Sequence, residues 1–166
     1  MKREDASKHL AAYLQAMGLR LPEGELATCA ERTAELFASR IRSLHEPLPT
    51  VSTFPAPASG GAVKVEDVGF YSLCAHHLVP FFGTVELLYV PSERVIGFGG
   101  IARAVDYFSR RPQLQEGFTE ELAGFFDSLV SPLGLEVRVC ARQLCVELHG
   151  HGTQTRYTTT ARRGEL

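Results

Sequence analysis

The chain has 166 residues, a length that suits one domain. Apolar residues make up 45% of it and charged residues 22%, values that are ordinary for a globular protein and argue against wholesale disorder. The formal net charge of -2 lacks the basic excess of a nucleic-acid-binding surface, so we expect no nucleic-acid partner.

The sequence carries no membrane or export signal. No stretch is long and apolar enough to span a bilayer, and the first ten residues lack the apolar segment of a signal peptide. We therefore expect a cytoplasmic protein without a membrane partner. The four cysteines would suit two disulfides in a secreted protein, but in a reducing compartment they favour metal binding or catalysis.

The first third of the chain is predicted to be helical. Apolar residues recur at helical spacing over residues 10–17. Thr28 and Glu31 have the form of a capping box, which predicts that a second helix starts there. Prolines and glycines between residues 45 and 61 then predict a loop or an extended segment.

The middle of the chain changes to the two-residue period of strands. Short strands are predicted over residues 63–65 and 70–73, followed by a strand over 85–89 that is apolar on nearly both faces. A brief strand over 95–98 is expected to break at the Gly99-Gly100 pair.

Two more helices and then strands are predicted for the rest. The helices lie between residues 101 and 132, and Thr119 is the expected N-cap of the second. An amphipathic strand begins at Leu135 and is predicted to continue through Cys145 to His149, and the Thr-rich residues 153–160 fit a last strand. Because helices and strands come in runs, the pattern favours an α+β fold with antiparallel pairing.

Three potential metal ligands, Cys74, His76 and His77, lie within four residues, and Cys145 lies far along the chain. Thiolate and imidazole are ligands that zinc prefers, and three protein ligands leave open the position that catalytic zinc needs. The pattern also fits ordinary buried cysteines, or a closed structural zinc with His76 or Cys140 as the fourth ligand.

The predicted last-but-one strand adds geometry to this site. Residues 143, 145, 147 and 149 share one face of a strand, so Gln143 would lie beside Cys145 at about 7 Å. His149 would lie roughly 13 Å from Cys145 along a straight strand, too far to bind the same ion.

The motif Phe70-Tyr71-Ser72-Leu73-Cys74-Ala75-His76-His77-Leu78-Val79-Pro80 resembles the zinc motif of GTP cyclohydrolase I. Further blocks follow in the family's order: Tyr89-Val90-Pro91, Val95-Ile96-Gly97, Arg111-Pro112-Gln113-Leu114-Gln115-Glu116, and Cys145 ahead of His149-Gly150. The resemblance covers most of residues 28–164.

This resemblance implies a T-fold, in which an antiparallel sheet carries helices on one face. We expect a single domain over residues 1–166, with N-terminal helices over about 6–45 and the T-fold core over about 62–166. The family's enzymes are toroidal homo-oligomers with active sites at subunit interfaces, so a homo-oligomer is expected here.

The resemblance also implies a chemistry. Cys74, His77 and Cys145 would hold Zn²⁺, whose water attacks C8 of a guanine ring, and the opened formamide loses formate. His76 would be the acid–base residue, since an imidazole exchanges protons near neutral pH. The ligand set also admits iron.

Substrate-binding positions carry over from the family in the same way. Gln115 and Glu116 would hold the guanine edge, because a carboxylate suits its paired N–H donors. Arg32 and Arg103 match arginines that contact the triphosphate.

Five positions depart from the family pattern. Gly99-Gly100 replaces Ser-Lys, Ala75 replaces Glu, Gln143 stands at the position of a second catalytic His, and His149 stands at that of a triphosphate-binding Arg. Losing an acid–base group costs about 10²–10⁴ in rate. Each lost charged hydrogen bond to phosphate costs about 1.5–3 kcal/mol.

These departures lead to the hypothesis of a zinc-dependent hydrolase for a purine-type substrate without a triphosphate. One alternative is genuine GTP cyclohydrolase I activity, with Arg110, Arg111 or the Arg162-Arg163 pair compensating. The other is a non-catalytic module that binds a purine or pterin.

Overall fold

The computed structural model describes residues 3–58, 60–152 and 154–166. Within them the chain forms five α-helices: α1 (Arg3–Ala16), α2 (Glu23–Arg40), α3 (Phe98–Ser109), α4 (Gln115–Val130) and α5 (Leu144–Leu148). The same residues form seven strands: β1 (Thr53–Pro55), β2 (Val63–Cys74), β3 (Pro80–Val90), β4 (Arg94–Ile96), β5 (Pro112–Gln113), β6 (Gly134–Gln143) and β7 (Arg156–Gly164). Thr153, where the last strand was predicted to begin, lies outside the described residues.

The main sheet has five strands in the order β5-β2-β3-β6-β7. All neighbours pair antiparallel except β5, which lies parallel to β2. Strands β1 and β4 form a separate antiparallel pair. The predicted α+β class with antiparallel pairing is therefore confirmed.

Helices α3 and α4 pack on one face of this sheet and form the core with it. Phe118, Leu122 and Phe126 follow each other at four-residue spacing on α4 and are fully buried. Val137 and Val139 are buried on β6, two residues apart on the same face. The helical and the strand periods thus bring two apolar surfaces together.

Both predicted N-caps are wrong. Helix α2 begins at Glu23, so Thr28 lies inside it and its hydroxyl donates to the Gly24 carbonyl oxygen at 2.9 Å. Helix α4 begins at Gln115, with Leu114 as its N-cap, and the Thr119 hydroxyl donates to the Gln115 carbonyl oxygen at 2.8 Å. A threonine hydroxyl can bond a carbonyl one turn earlier within a helix, so its presence does not locate a helix start.

Two strand predictions need correction in the middle of the chain. Residues 63–65 and 70–73 belong to one strand, β2, whose pairing with β3 shifts between Val65 and Val68. Asp67 at the shift has a φ of 57°. The Gly99-Gly100 pair does not end a strand but lies in the first turn of α3.

Strand β6 ends at Gln143 and does not run on to His149. Gln143 pairs with Phe81, the second residue of β3, on one side. On the other side, Arg142 pairs with Arg156, the first residue of β7. Beyond this point the described residues offer no strand for pairing. The backbone polar groups are satisfied instead within the helical turns of α5.

No helix in residues 3–58, 60–152 and 154–166 is both long enough and apolar enough to cross a membrane.

We predict that Gly83→Ala destabilises the fold. A Cβ at residue 83 would lie 1.9 Å from the Cys140 carbonyl oxygen on β6, and backbone cannot move aside as a side chain can. Overpacking of this kind costs about 1–3 kcal/mol, and we expect the upper end of that range. The midpoint of urea unfolding measures the loss.

Gly124→Ala is the matched control for this prediction. Gly124 is exposed inside α4, and a Cβ there would meet nothing within 4 Å. We expect it to stabilise the protein by about 0.5–1 kcal/mol, the helix preference of Ala over Gly. Equal unfolding midpoints for Gly83→Ala and the parent chain would contradict the packing argument.

Candidate metal centre and substrate cleft

The strand register brings three distant segments together at one end of the sheet. The end of β2 pairs with the start of β3 through Leu73 and Pro80. The start of β3 pairs with the end of β6 through Phe81 and Gln143. Cys145 follows in the first turn of α5. Residues about 70 positions apart in the sequence are therefore neighbours in the fold.

A tight turn after β2 folds the histidine segment back on the strand end. The Cys74 N–H donates to the Val79 carbonyl oxygen at 2.9 Å, and the Leu78 N–H donates to the Cys74 carbonyl oxygen at 2.8 Å. Leu78 adopts a left-handed φ of 54° to close the turn. This geometry returns His77 towards Cys74, with Nδ1 at 3.8 Å from Sγ.

Cys74, His77 and Cys145 form a cluster in which the ligand atoms all lie within 4.8 Å of one another. Both thiols are buried, while His77 is exposed at the rim. Burial raises the pKa of the Cys145 thiol, and its hydrogen bond with the Cys74 thiol raises it further. A cation that binds here must therefore displace a proton.

The donor set of this cluster fits zinc. Two thiols and one imidazole are soft and borderline ligands, the types found in zinc sites, and their spread of at most 4.8 Å is compatible with ligation of one ion. Three protein donors leave a coordination position for water or substrate.

Neither proposed fourth ligand belongs to this cluster. Within the described residues only Cys74, His77 and Cys145 meet the distance condition together. The ring centroid of His76 lies 6.2 Å from that of His77, and its side chain is exposed. Cys140 lies within β6, five residues before Cys145.

The distance expected between Cys145 and His149, which assumed a straight strand, is wrong. Because residues 144–148 form α5, Cys145 and His149 are one helical turn apart, about 6 Å along the axis. The rings of His149 and His77 meet edge-to-face, with centroids 5.3 Å apart. His149 thus lies against a candidate ligand.

A cleft of about 460 Å³ opens beside the cluster. Four strands (β2, β5, β6 and β7), two helices (α4 and α5) and the loops beside them line this cleft. The lining residues are Cys74, His76, Gln113, Leu114, Gln115, Glu116, Gln143, Cys145, Val146, Tyr157 and Thr159. The cleft brings together the two cysteines of the cluster, the predicted acid–base residue His76 and the predicted guanine-binding pair Gln115 and Glu116. Among the described residues that line it, none is Lys or Arg.

Gln115 and Gln143 are joined inside this cleft wall. Gln143 Nε2 donates to Gln115 Oε1 at 2.7 Å. Gln115 Nε2 faces the carbonyl oxygens of Val139 and Tyr157 at 3.1 and 2.9 Å and the Thr159 hydroxyl at 3.2 Å. Gln115 is only 4% exposed, so its carboxamide bonds to groups of the protein and not to solvent.

The two predicted arginines do not reach the cleft within this chain. Arg32 is exposed on α2, and Arg103 is exposed on α3. Glu116, in contrast, is exposed in the first turn of α4 and lines the cleft. A carboxylate there is also favoured by the positive end of the helix dipole.

Sequence reasoning missed three polar residues of the cleft lining. Tyr157 and Thr159 are two residues apart on β7, and their shared parity was the available signal that they lie on one face. Gln113 belongs to the motif of residues 111–116, but the motif alone assigns it no role in the cleft. Its Nε2 donates to the Ser72 hydroxyl and the Phe108 carbonyl oxygen, which ties β5 to β2 and α3.

Comparisons with known proteins identify the family of the chain. The family profile of GTP cyclohydrolase I matches residues 6–166. GTP cyclohydrolase 1 of Streptococcus pyogenes serotype M18 is 35% identical over 167 residues, which cover 98% of this chain and 86% of that protein.

Two further relatives align over shorter stretches. GTP cyclohydrolase 1 of Lactiplantibacillus plantarum is 38% identical over 125 residues, or 75% of this chain and 65% of that protein. GTP cyclohydrolase 1 of Fusobacterium nucleatum subsp. nucleatum is 41% identical over 107 residues, or 64% of this chain and 57% of that protein. The chain thus spans less than two thirds of the length of these two relatives.

A solved structure shares the fold. The archaeosine synthase QueF-Like in the apo form superposes with a TM-score of 0.53 at 18% identity, over 67% of this chain and 99% of that one. This likeness concerns the fold alone, and it agrees with the predicted T-fold. Since the family profile matches residues 6–166, the chain belongs to the GTP cyclohydrolase I family.

Proposed function

We propose that the chain is a metal-dependent cyclohydrolase that opens the imidazole ring of a guanine-type substrate without a triphosphate. The observation that carries this proposal is the cleft itself. It joins a Cys-His-Cys cluster to a carboxylate, and the described residues that line it include no cationic side chain.

The cluster would hold the metal through Cys74, His77 and Cys145. When bound, Zn²⁺ supplies Lewis-acid polarisation and a hydrolytic water that is available near neutral pH. The chain's own contribution is to hold the three ligand atoms close together, from the end of β2, the turn that follows it and the first turn of α5. The two thiols lie on the buried inner side of the site.

His76 is the proton-transfer residue in this proposal. It lines the same cleft as Cys74 and Cys145 but lies outside the ligand cluster, so its ring nitrogens stay free to act on a substrate. An imidazole there can deliver a proton to a purine ring nitrogen as the C8–N bond breaks.

Glu116 is the residue that recognises the guanine edge. Its carboxylate is exposed to the cleft at the start of α4 and can accept from the N1–H and the 2-amino group together. Hydrogen bonds to a charged acceptor are worth about 1.5–3 kcal/mol, enough to distinguish guanine from a purine without these donors.

The charge around the site argues against a triphosphate. Gln143 and His149 add no fixed positive charge, and Arg32 and Arg103 lie outside the cleft lining of the chain. The four arginines that would have to compensate all pair with carboxylates: Arg110 with Asp106, Arg111 with Glu121, Arg162 with Glu136, and Arg163 with Glu120.

Packing also opposes a lysine at residue 100. A Cβ on Gly100 would lie 2.4 Å from Val51 Cγ1, and the branched Val51 side chain has little freedom to turn away. Gly99 has more room, since a Cβ there would lie 3.5 Å from Arg103 Nη1. A lysine at residue 100 would therefore have to displace the Val51 side chain before it could restore the lost phosphate contact.

Genuine GTP turnover is the second candidate. The names of the relatives favour it, because all three are GTP cyclohydrolase 1 proteins. In an oligomer, exposed Arg32 or Arg103 of a neighbouring copy would have to supply the phosphate contacts.

A homo-oligomer forms part of the proposal. Strand β7 lies at the edge of the main sheet, with one backbone edge available for pairing with another copy. Leu36, Tyr71 and Leu78 are exposed around an apolar groove between α2 and β2. Such surfaces are typical of subunit interfaces.

Substrate choice is tested by incubating the zinc-loaded protein with GTP, guanosine, guanine and 8-oxoguanine and following the products by mass. We expect ring-opened products from a substrate without phosphates, and little or no turnover of GTP. GTP conversion to dihydroneopterin triphosphate as the fastest reaction would favour the second candidate.

The Glu116→Gln variant tests whether the Glu116 carboxylate recognises the substrate in this experiment. We expect the substitution to lower kcat/KM for the accepted substrate about 10- to 100-fold, through the loss of charged hydrogen bonds. Glu120→Gln, one turn along α4, is the matched control, because the exposed Glu120–Arg163 pair contributes little.

A further inference from the structure

We propose that Gln143 is a positioning residue: it holds the Gln115 carboxamide against the sheet, and thereby fixes the first turn of α4 and the direction of Glu116. This deepens the proposed function, on which its link to substrate binding rests. It assigns Gln143 no proton transfer, because a carboxamide has no proton to give and recover.

The orientation of the Gln115 amide follows from its surroundings. Its Nε2 faces two backbone carbonyl oxygens, which can only accept, so the nitrogen must be on that side. Oε1 then points to Gln143, which has to present a donor. Gln143 Nε2 does so at 2.7 Å.

A polar network extends this hold to the helix and to β7. The Thr119 hydroxyl donates to the Gln115 carbonyl oxygen at 2.8 Å and lies 2.6 Å from the Thr159 hydroxyl. Thr159 in turn accepts from Gln115 Nε2. Because Gln115 and Thr119 are buried, a broken link would leave a polar group without a partner.

The consequence concerns which residue reads the substrate. Both amide hydrogens of Gln115 and one acceptor site of its Oε1 are used in hydrogen bonds within the protein. The Gln115 side chain therefore holds the helix against the sheet and does not contact the guanine. Glu116 is the next residue in the same helical turn and is the one exposed to the cleft. Loosening Gln115 should therefore misdirect Glu116.

The test uses the zinc-loaded full chain with four substitutions: Gln143→Met, Gln115→Met, both together, and Gln143→His. Hydrogen exchange of the amides over residues 115–120 is measured first, because it needs no substrate. We expect Gln143→Met and Gln115→Met each to speed this exchange about 2- to 10-fold, the worth of one hydrogen bond, and the double variant to go no further. Gln143→His should retain slow exchange, since a ring N–H can donate to Gln115 Oε1.

Kinetics with the accepted guanine-type substrate supply the second readout. We expect Gln143→Met to raise KM about 2- to 10-fold with kcat nearly unchanged, without additional loss in the double variant. Unchanged exchange over residues 115–120, additive effects, or a fall in kcat at constant KM would each overturn the positioning role. If the parent protein accepts no guanine-type substrate, the proposed function fails, and the exchange result still decides whether Gln143 holds Gln115.

Discussion

Cys145→Ala should strip the protein of bound metal and of its hydrolytic activity. Cys145 contributes one of three donor atoms that lie within 4.8 Å of one another, and the described part of the chain holds no substitute within that cluster. Loss of an outer partner of a metal ligand already costs about 10- to 100-fold in affinity, so loss of a ligand should cost at least about 100-fold. Elemental analysis after dialysis measures the metal per chain and also distinguishes zinc from iron.

Cys140→Ala is the matched control for this experiment. Cys140 lies five residues earlier on β6, is only partly buried and does not belong to the cluster. We expect this variant to keep its metal and its activity. Metal content that survives in Cys145→Ala, or that falls equally in Cys140→Ala, would refute the assigned ligands.

His76→Ala should lower kcat about 10²–10⁴-fold while the metal content stays unchanged. The reason is geometrical: His76 lines the cleft, yet its ring lies outside the cluster, with its centroid 6.2 Å from that of His77. Removal of a proton-transfer group slows bond cleavage without removing a ligand. Steady-state kinetics and elemental analysis on the same preparation separate the two effects.

His45→Ala provides the comparison, because His45 is exposed at the end of the helical N-terminal segment, before β1. It should match the parent protein in both measurements. A loss of metal in His76→Ala would instead identify His76 as the fourth ligand of a closed structural site. Full activity in that variant would remove His76 from the reaction.

The two predictions separate the enzyme from a binding module. A module that only binds a purine or pterin would lose metal in Cys145→Ala but would show no turnover for His76→Ala to slow. The difference arises because a structural metal needs only its ligands, whereas hydrolysis also needs a group that moves a proton.

Local patterns were sufficient for much of the fold. The two-residue period of Val137 and Val139 and the four-residue spacing of Phe118, Leu122 and Phe126 express the geometry of a strand and of a helix, which any short segment carries in itself. The same holds for Cys74 and His77, since a single turn joins them.

Element ends were predicted less well, because they depend on neighbours distant in sequence. Nothing within residues 144–149 distinguishes a strand from a helical turn. Because β3 starts beside Gln143, no strand among the described residues is left to pair with residues 144–149. These residues form a helical turn instead, and His149 contacts His77. Thr28 and Thr119 were assigned to helix starts for a similar reason, since a hydroxyl within a helix looks the same in sequence as one at its N-terminus.

The sequence by itself determined the class of fold, the family and the residue types at the candidate metal cluster, because these depend on short-range periods and on motifs in order. Only the tertiary structure decided that Gln143 bonds Gln115, that His149 lies beside His77, and that the described lining of the cleft has no cation. Each of these facts joins side chains on different elements. The physical reason is that strand register and helix packing set such distances, and both are properties of the whole sheet.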